Sequence, residues 1–343
     1  MAFRDLVNQD HAVMLLRTAV RSGRVSHAYL FVGPRGVGRH DTAAAFAHLL
    51  NCERPDADAC GQCRACRLIA SGQHPDVRTV DVERGLLLDP ADSTRTAIGI
   101  KQVLALRREV VYPPYEGRWK VYIFVNADTM TSEAANSLLK VLEEPPSQVV
   151  IILIAESTVP MLPTVVSRCQ LVRFLLIPAP AIEQALVDRF GVARGRARFI
   201  AALAGGQLGR AVMWVTSEEA LQLREKMLDL LERLEQADPL ERLDAAEELA
   251  KEKEVLPELL DIALFWFRDL LVWQETADEG LLINLDRKER IASLAGGMAA
   301  EALNARIDAV EGAKEALRRN VHPRLALEAL FLGLTPPQAP TRR

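Results

Sequence analysis

"HAYLFVGPRGVGRHDTAAAFAHLLN", His27 to Asn51, decides the fold. From Ala28 to Gly33 it is a short apolar, β-leaning run that breaks at glycine and proline. From His40 it is rich in alanine and leucine with apolar residues at helical spacing, so the stretch predicts strand, loop and helix. The loop nearly matches the phosphate-gripping pattern GxxxxGK followed by Ser or Thr. In that pattern backbone N–H groups cradle phosphates, the lysine meets the terminal ones and the hydroxyl holds magnesium. Gly33, Gly36 and Gly38 are present, but Arg39 and His40 stand where the lysine and the hydroxyl belong. Arg39 keeps a positive charge, yet a planar guanidinium is bulkier than an ammonium and does not replace it conservatively in a tight cradle.

Two further runs repeat the alternation. "KVYIFVNA", Lys120 to Ala127, precedes a helix-like "SEAANSLLKVLEE" that Ser132 would cap and Pro145-Pro146 would close. "VVIILIA", Val149 to Ala155, is too continuously apolar for a strand with one wet face. Strands alternating with helices and buried on both sides predict an α/β domain, a parallel sheet covered by helices, reaching to about residue 177. After a last apolar run, "LVRFLLIPAPA", β-branched clusters become scarce. Segments such as "SEEALQLREKMLDLLERLEQ" carry leucine at three- and four-residue steps and predict helices to the end. The expected division is an α/β domain over 1–177, a small helical domain over 178–216, a larger helical domain over 217–334 and a disordered tail over 335–343.

In a nucleotide hydrolase the strand "KVYIF" would end in an acidic pair for magnesium and water. Val125 and Asn126 occupy those places, and Asp128, two to three residues on, is the candidate substitute. Losing the lysine, the hydroxyl and both acids removes most of the electrostatic stabilisation on which phosphoryl transfer depends. ATP binding and hydrolysis by this chain are therefore not expected, and the glycines read as a turn. A divergent ATPase using Arg39 and Asp128 is the rival reading.

Cys52, Cys60, Cys63 and Cys66 form C-x7-C-x2-C-x2-C in a chain with five cysteines in all, the other being Cys169. Paired C-x-x-C turns put thiolates on one side of a tight loop, which suits tetrahedral structural zinc with no open position. Disulfides and an iron–sulfur cluster are the competing readings, disfavoured by compartment and by spacing. His74, in "QHPD", reads as a loop residue rather than a further ligand.

The chain of 343 residues is 49% hydrophobic and 26% charged, enough for two or three domains with buried cores. Its longest apolar stretch, Val149 to Ala155, falls short of the ~20 residues of a membrane helix, and "MAFRDLVNQD" lacks the apolar segment of a signal peptide. A cytoplasmic location without membrane contact is the expectation. A formal charge of −4 argues against a chain that coats itself on DNA unaided, so a free-standing zinc-dependent DNA-binding module is a weaker alternative.

The order of "HAYLFVGPRGVG", the four cysteines, "EGRWKVYIFVNADTMTSEAANSLLKVLEEPP" and "VVSRC" resembles the bacterial clamp-loader subunits of the AAA+ superfamily. "NVHPRLALEALFLGL" near the end agrees with it. The resemblance implies a RecA-like AAA+ domain with an inserted zinc module at about 52–66, a helical lid and a helical collar that holds five subunits in a ring. Motor subunits of that family keep GK[ST] and an Asp-Glu pair; this sequence keeps neither, which is the pattern of the non-motor subunits. In the lid motif "GGQLGRAV", Gly209 stands where motor subunits place a nucleotide-sensing arginine, with Arg210 adjacent. By motif match Arg168 of "SRC" is an arginine finger inserted into a neighbour's ATP site, with Ser167 and Cys169 positioning it. The residues alone favour a surface or salt-bridged arginine at a strand entrance. The implied partners are gamma/tau-type motor subunits and the delta subunit, with the sliding clamp and primer-template DNA reached through the complex. Polymerase activity would belong to the holoenzyme. In "SLLKVLEEPP", Leu138, Leu139 and Leu142 are expected on the sheet and Lys140, Glu143 and Glu144 on a solvated face, with no DNA contact assigned.

Overall fold

The computed structural model describes residues 2–56, 58–81, 97–235, 237–253 and 255–334. The tail expected at 335–343 lies outside the described residues. The chain divides into two compact units, Met1–Ala185 with Ala204–Arg210, and Leu186–Leu203 with Ala211–Arg343.

The first unit is built on five parallel strands. In chain order its elements are α1 (Asp10–Arg21), β1 (Ala28–Val32), α2 (Arg39–Asn51), α3 (Arg64–Ala70), β2 (Val77–Val80), α4 (Ile100–Glu109), β3 (Lys120–Phe124), α5 (Ser132–Glu143), β4 (Val149–Ala155), the single turn α6 (Pro163–Val166) and β5 (Gln170–Arg173). The strands lie in the order β2-β3-β4-β1-β5, with Ala28 opposite Ile151 and Tyr29 opposite Gln170. Parallel neighbours need long crossovers, and the helices supply them while covering both faces.

Alternate residues of each strand explain the continuous hydrophobicity of β4. Val150, Ile152 and Ile154 join Tyr29, Phe31 and the α2 residue Phe46 in one core, whereas Val149, Ile151 and Leu153 join Leu30 and the α5 residues Leu138 and Leu142 in the other. Each such fully buried side chain contributes about 1.5–3 kcal/mol of transfer free energy. The strand β2 is absent from the sequence expectation. Its four residues "VRTV" are only partly buried at the sheet edge, too short and too polar a signal to stand out. The cap of α5 also corrects the expectation. Thr131 holds the extended cap conformation and its side chain accepts from the Ala134 N–H at 3.3 Å, so Ser132 is the first helical residue.

After β5 the described residues are helical throughout: α7 (Ala179–Phe190), α8 (Arg194–Leu203), α9 (Leu208–Thr216), α10 (Glu218–Leu234), α11 (Pro239–Leu249), α12 (Leu256–Thr276), α13 (Lys288–Ala295), α14 (Ala300–Arg318) and α15 (Pro323–Gly333). In the second unit α12 packs against α10, α13 and α14 and buries Trp266, Phe267 and Leu270. A polar network sits within this bundle: Asp269 accepts the N–H groups of Ile283 and Asn284, and buried Arg224 reaches Asn284 and Asp286, each at 2.8 Å. No described helix is long and apolar enough to cross a membrane.

Candidate functional site

Three groups of predicted residues lie in the first unit. The glycine loop follows β1 and leads into α2. Gly33 lies so close to the strand exit of β5 that a Cβ there would collide with the Phe174 carbonyl. Gly36 and Gly38 have φ of 70° and 92°, the left-handed region that favours glycine. The chain turns at these glycines, and two polar groups of the loop, the Arg39 guanidinium and the Gly36 carbonyl, are bonded within the fold. Arg39 is buried, with its guanidinium donating to the Ala155 carbonyl at the tip of β4. Burial pushes its pKa down, while the carboxylates of Glu156 and Asp128 oppose that shift. Arg35 pairs with Glu156, and Asp128 accepts the Glu156 N–H at 3.0 Å. Asp128, the candidate magnesium ligand, thus braces the segment after β4. His40 is exposed, and Val125 and Asn126 bring no carboxylate to the end of β3.

The lid motif also meets this loop. The Gly209 N–H donates to the Gly36 carbonyl at 2.8 Å, and the Gln207 side chain lies against Gly36. Arg210 is buried beside it rather than extended into solvent.

The cysteines converge as their spacing predicts. Cys52 ends α2, Cys63 caps α3, and the sulfurs of Cys52, Cys60, Cys63 and Cys66 all lie within 4.8 Å of one another. Tetrahedral zinc–thiolate bonds of about 2.3 Å would set the sulfurs about 3.8 Å apart. The donor set fits such an ion in a second way, because backbone N–H groups already point at sulfur: Cys60 to Cys52 at 3.3 Å, Cys63 to Cys60 at 3.3 Å and Cys66 to Cys63 at 3.4 Å. The N–H groups of Gln62 and Cys63 bring the Cys60 thiol down to about 6, whereas burial raises Cys52 and Cys66. All five cysteines are free of disulfides. His74 is turned away from this role, with its Nδ1 accepting the Asp76 N–H at 3.1 Å.

Two residues beside the cluster carry weight that the sequence did not signal. Asp76 accepts the N–H groups of Tyr115, Glu116 and Gly117 at 2.6, 2.9 and 2.7 Å. Asn51 accepts those of Arg118 and Trp119 at 2.8 and 2.9 Å. Together with the Arg118 bond to the Cys52 carbonyl, they clasp the loop before β3 onto the cysteine module. No periodicity marks such contacts, although "PPYEGRW" announces a turn that must place its N–H groups somewhere.

Arg168 follows the turn of α6. Its Nη1 donates to the Thr164 carbonyl at 3.0 Å and its Nη2 lies 2.8 Å from Glu143 Oε1. The side chain is 36% exposed, so the guanidinium is ordered yet reachable. Ser167 bonds back to Thr164 at 3.2 Å, and burial raises the Cys169 thiol to about 12, which leaves it unreactive. Leu138 and Leu142 are buried and Leu139 half-buried, as expected on the sheet side; Lys140, Glu143 and Glu144 are exposed, with Glu143 supplying the Arg168 contact that sequence reasoning missed.

A parallel sheet flanked by helices, with a glycine loop after β1, a four-cysteine cluster after α2 and a following series of helices, defines a protein of the α/β class with an all-helical second part. The family described as "DNA polymerase III, delta subunit" matches residues 8–177, and "DNA polymerase III, delta subunit, C terminal" matches 218–335. The DNA polymerase III subunit delta' of Bacillus subtilis is 33% identical over 329 residues, 95% of this chain and 96% of that protein. The chain belongs to the DNA polymerase III delta' family. It is also 29% identical to the B. subtilis subunit tau over 97% of its own length, spanning 61% of tau. Among solved structures, the B. subtilis clamp loader delta protein aligns over 94% of this chain and 99% of that chain at 14% identity with a TM-score of 0.37, too low a likeness to carry an argument.

Proposed function

We propose that this chain is a non-hydrolysing clamp-loader subunit that supplies Arg168 in trans to a neighbouring motor subunit's ATP site. The observation that supports the reading is the burial of Arg39, spent on the Ala155 carbonyl where a phosphate-binding lysine would stand, while Arg168 stays accessible. A guanidinium supplied to a neighbour's transferring phosphate stabilises transition-state charge and is worth about 10³–10⁵ in rate. The divergent-ATPase rival draws less support, because Asp128 is engaged with the Glu156 N–H.

The partners in this reading are gamma/tau-type motor subunits and a delta subunit, and the complex brings the sliding clamp to primed DNA in the cytoplasm. Residues 1–177 serve as the AAA+ domain, 178–216 as the lid and 217–334 as the collar; family matches that end at 177 and resume at 218 support that division. The four cysteines hold one structural zinc, which supplies folding energy rather than chemistry.

Reconstitution with motor and delta subunits tests the reading. Arg168→Ala is expected to leave ring assembly intact and to lower DNA-stimulated ATP turnover. An unchanged turnover would remove the finger assignment, and magnesium-dependent turnover by the isolated chain would remove the non-hydrolysing one.

A further inference from the structure

Arg168 is held by two anchors of different kinds. The Thr164 carbonyl belongs to the turn that precedes Arg168 and is a neutral acceptor. Glu143 comes from another element, the end of α5, and brings a full negative charge to within 2.8 Å of Nη2. The placement of that acid is itself informative. A carboxylate in the last turn of a helix faces the negative end of the macrodipole, which disfavours it unless a cation stands nearby. Glu143 and Glu144 both sit there, and Arg168 is the counter-charge that Glu143 finds.

Resting on the reading of Arg168 as a finger, we infer that Glu143 is a positioning residue: it holds the guanidinium in cis and surrenders it to the nucleotide of the neighbour. Carboxylate and phosphate recognise the same feature of arginine, a fork of N–H donors carrying one positive charge. They therefore compete for it. With side chains 36% and 49% exposed, the Arg168–Glu143 pair is of the weak, solvent-screened kind. Such a pair keeps the side chain out of the many rotamers open to a free arginine. It also yields to a triphosphate, whose several negative charges outweigh one carboxylate. The Thr164 bond does not compete in this way, since a neutral carbonyl offers the guanidinium no counter-charge.

Removing the competitor then makes the finger easier to engage, by a factor set by the strength of an exposed pair, up to about five-fold. The experiment uses the full chain in a complex with motor and delta subunits, and follows ATP turnover against ATP concentration. The difference between complexes carrying Arg168 and Arg168→Ala isolates the turnover that depends on this guanidinium. For that portion Glu143→Gln is expected to lower the KM for ATP by about two- to five-fold, with kcat changed by less than about two-fold. Glu143→Asp, which restores the charge, is expected to return KM toward the starting value. In an Arg168→Ala background Glu143→Gln is expected to change nothing, the non-additivity of a coupled pair.

An unchanged KM with Glu143→Gln, where Arg168→Ala still depresses turnover, overturns the role of Glu143 and leaves the finger standing. A fall in turnover that persists in the Arg168→Ala background also overturns it, since a purely structural glutamate would act that way. If Arg168→Ala itself has no effect, the finger reading fails first and takes this one with it.

Discussion

The guanidinium of Arg39 is buried against the Ala155 carbonyl, whereas that of Arg168 is about a third exposed and paired with an exposed acid. The sequence makes both residues visible, Arg39 as the wrong residue in a phosphate loop and Arg168 as the centre of "SRC". What it does not make visible is the direction of either side chain, because each has a partner on another element: Ala155 is 116 residues from Arg39, and Glu143 of α5 meets Arg168. Arg39→Ala would remove one of the two donors to the Ala155 carbonyl, leaving the Gly33 N–H at 3.3 Å, and would leave Arg35 as the cation beside Glu156. The expected cost is about 1–3 kcal/mol, read as a lower urea midpoint at unchanged slope, with no gain in nucleotide binding by calorimetry. A variant as stable as the parent that bound ATP would mean that the guanidinium had been blocking a working cradle.

Helices and strands were legible to the extent that their signals were local. β1, β3, β4 and α5 were read from apolar runs and turn residues, and the helical region after β5 from its leucine spacing. β2 was not, since an edge strand of four residues has little to bury. Thr131 and Ser132 are both good caps by residue type, and only the backbone conformation makes Thr131 the cap of α5. Thr131→Ala is accordingly expected to lower stability by about 1 kcal/mol, and Ser132→Ala by less, in parallel thermal or urea melts. The cysteine module was read from spacing alone, but its purpose within the unit was not. Asp76 and Asn51 fasten the loop before β3 beside it, so loss of metal should be felt beyond residues 52–66. Chelation, or Cys60→Ser with Cys63→Ser, is expected to raise amide exchange over 112–119 as well as over the cysteines, and metal analysis of the parent to find one zinc per chain. Exchange confined to the cysteines would separate the two structures. Asp76→Ala, which strands three backbone N–H groups, should cost about 3 kcal/mol by the same melts.

For the whole molecule the formal charge of −4 carries no information on how stability responds to acid. That depends on which groups the fold buries. His48 lies inside the core on α2, and burial is the main cause that lowers its pKa to about 4, against about 6.5 for a free imidazole. Well above pH 6.5 the residue is neutral whether the chain is folded or not, and there it adds no pH dependence. As the pH falls from 6.5 toward 4 the unfolded chain takes up a proton that the folded one refuses, so stability declines across that window. The loss is on the order of 2 kcal/mol after allowing for partial solvent screening. Asp58 and Asp76 act later. Their folded pKa values are lowered by backbone N–H groups, despite burial that would raise them, so their contributions disappear only as the pH drops below the ordinary carboxylate range. His48→Leu keeps an apolar side chain of similar size in the core and removes the titration. Urea midpoints measured at pH 7, 6, 5 and 4.5 should therefore fall less steeply for the variant than for the parent, with the difference opening below pH 6.5. Release of metal from protonated thiols affects both proteins alike and cancels in that comparison. Parallel pH profiles would mean that His48 is protonated in the folded chain as readily as in the unfolded one.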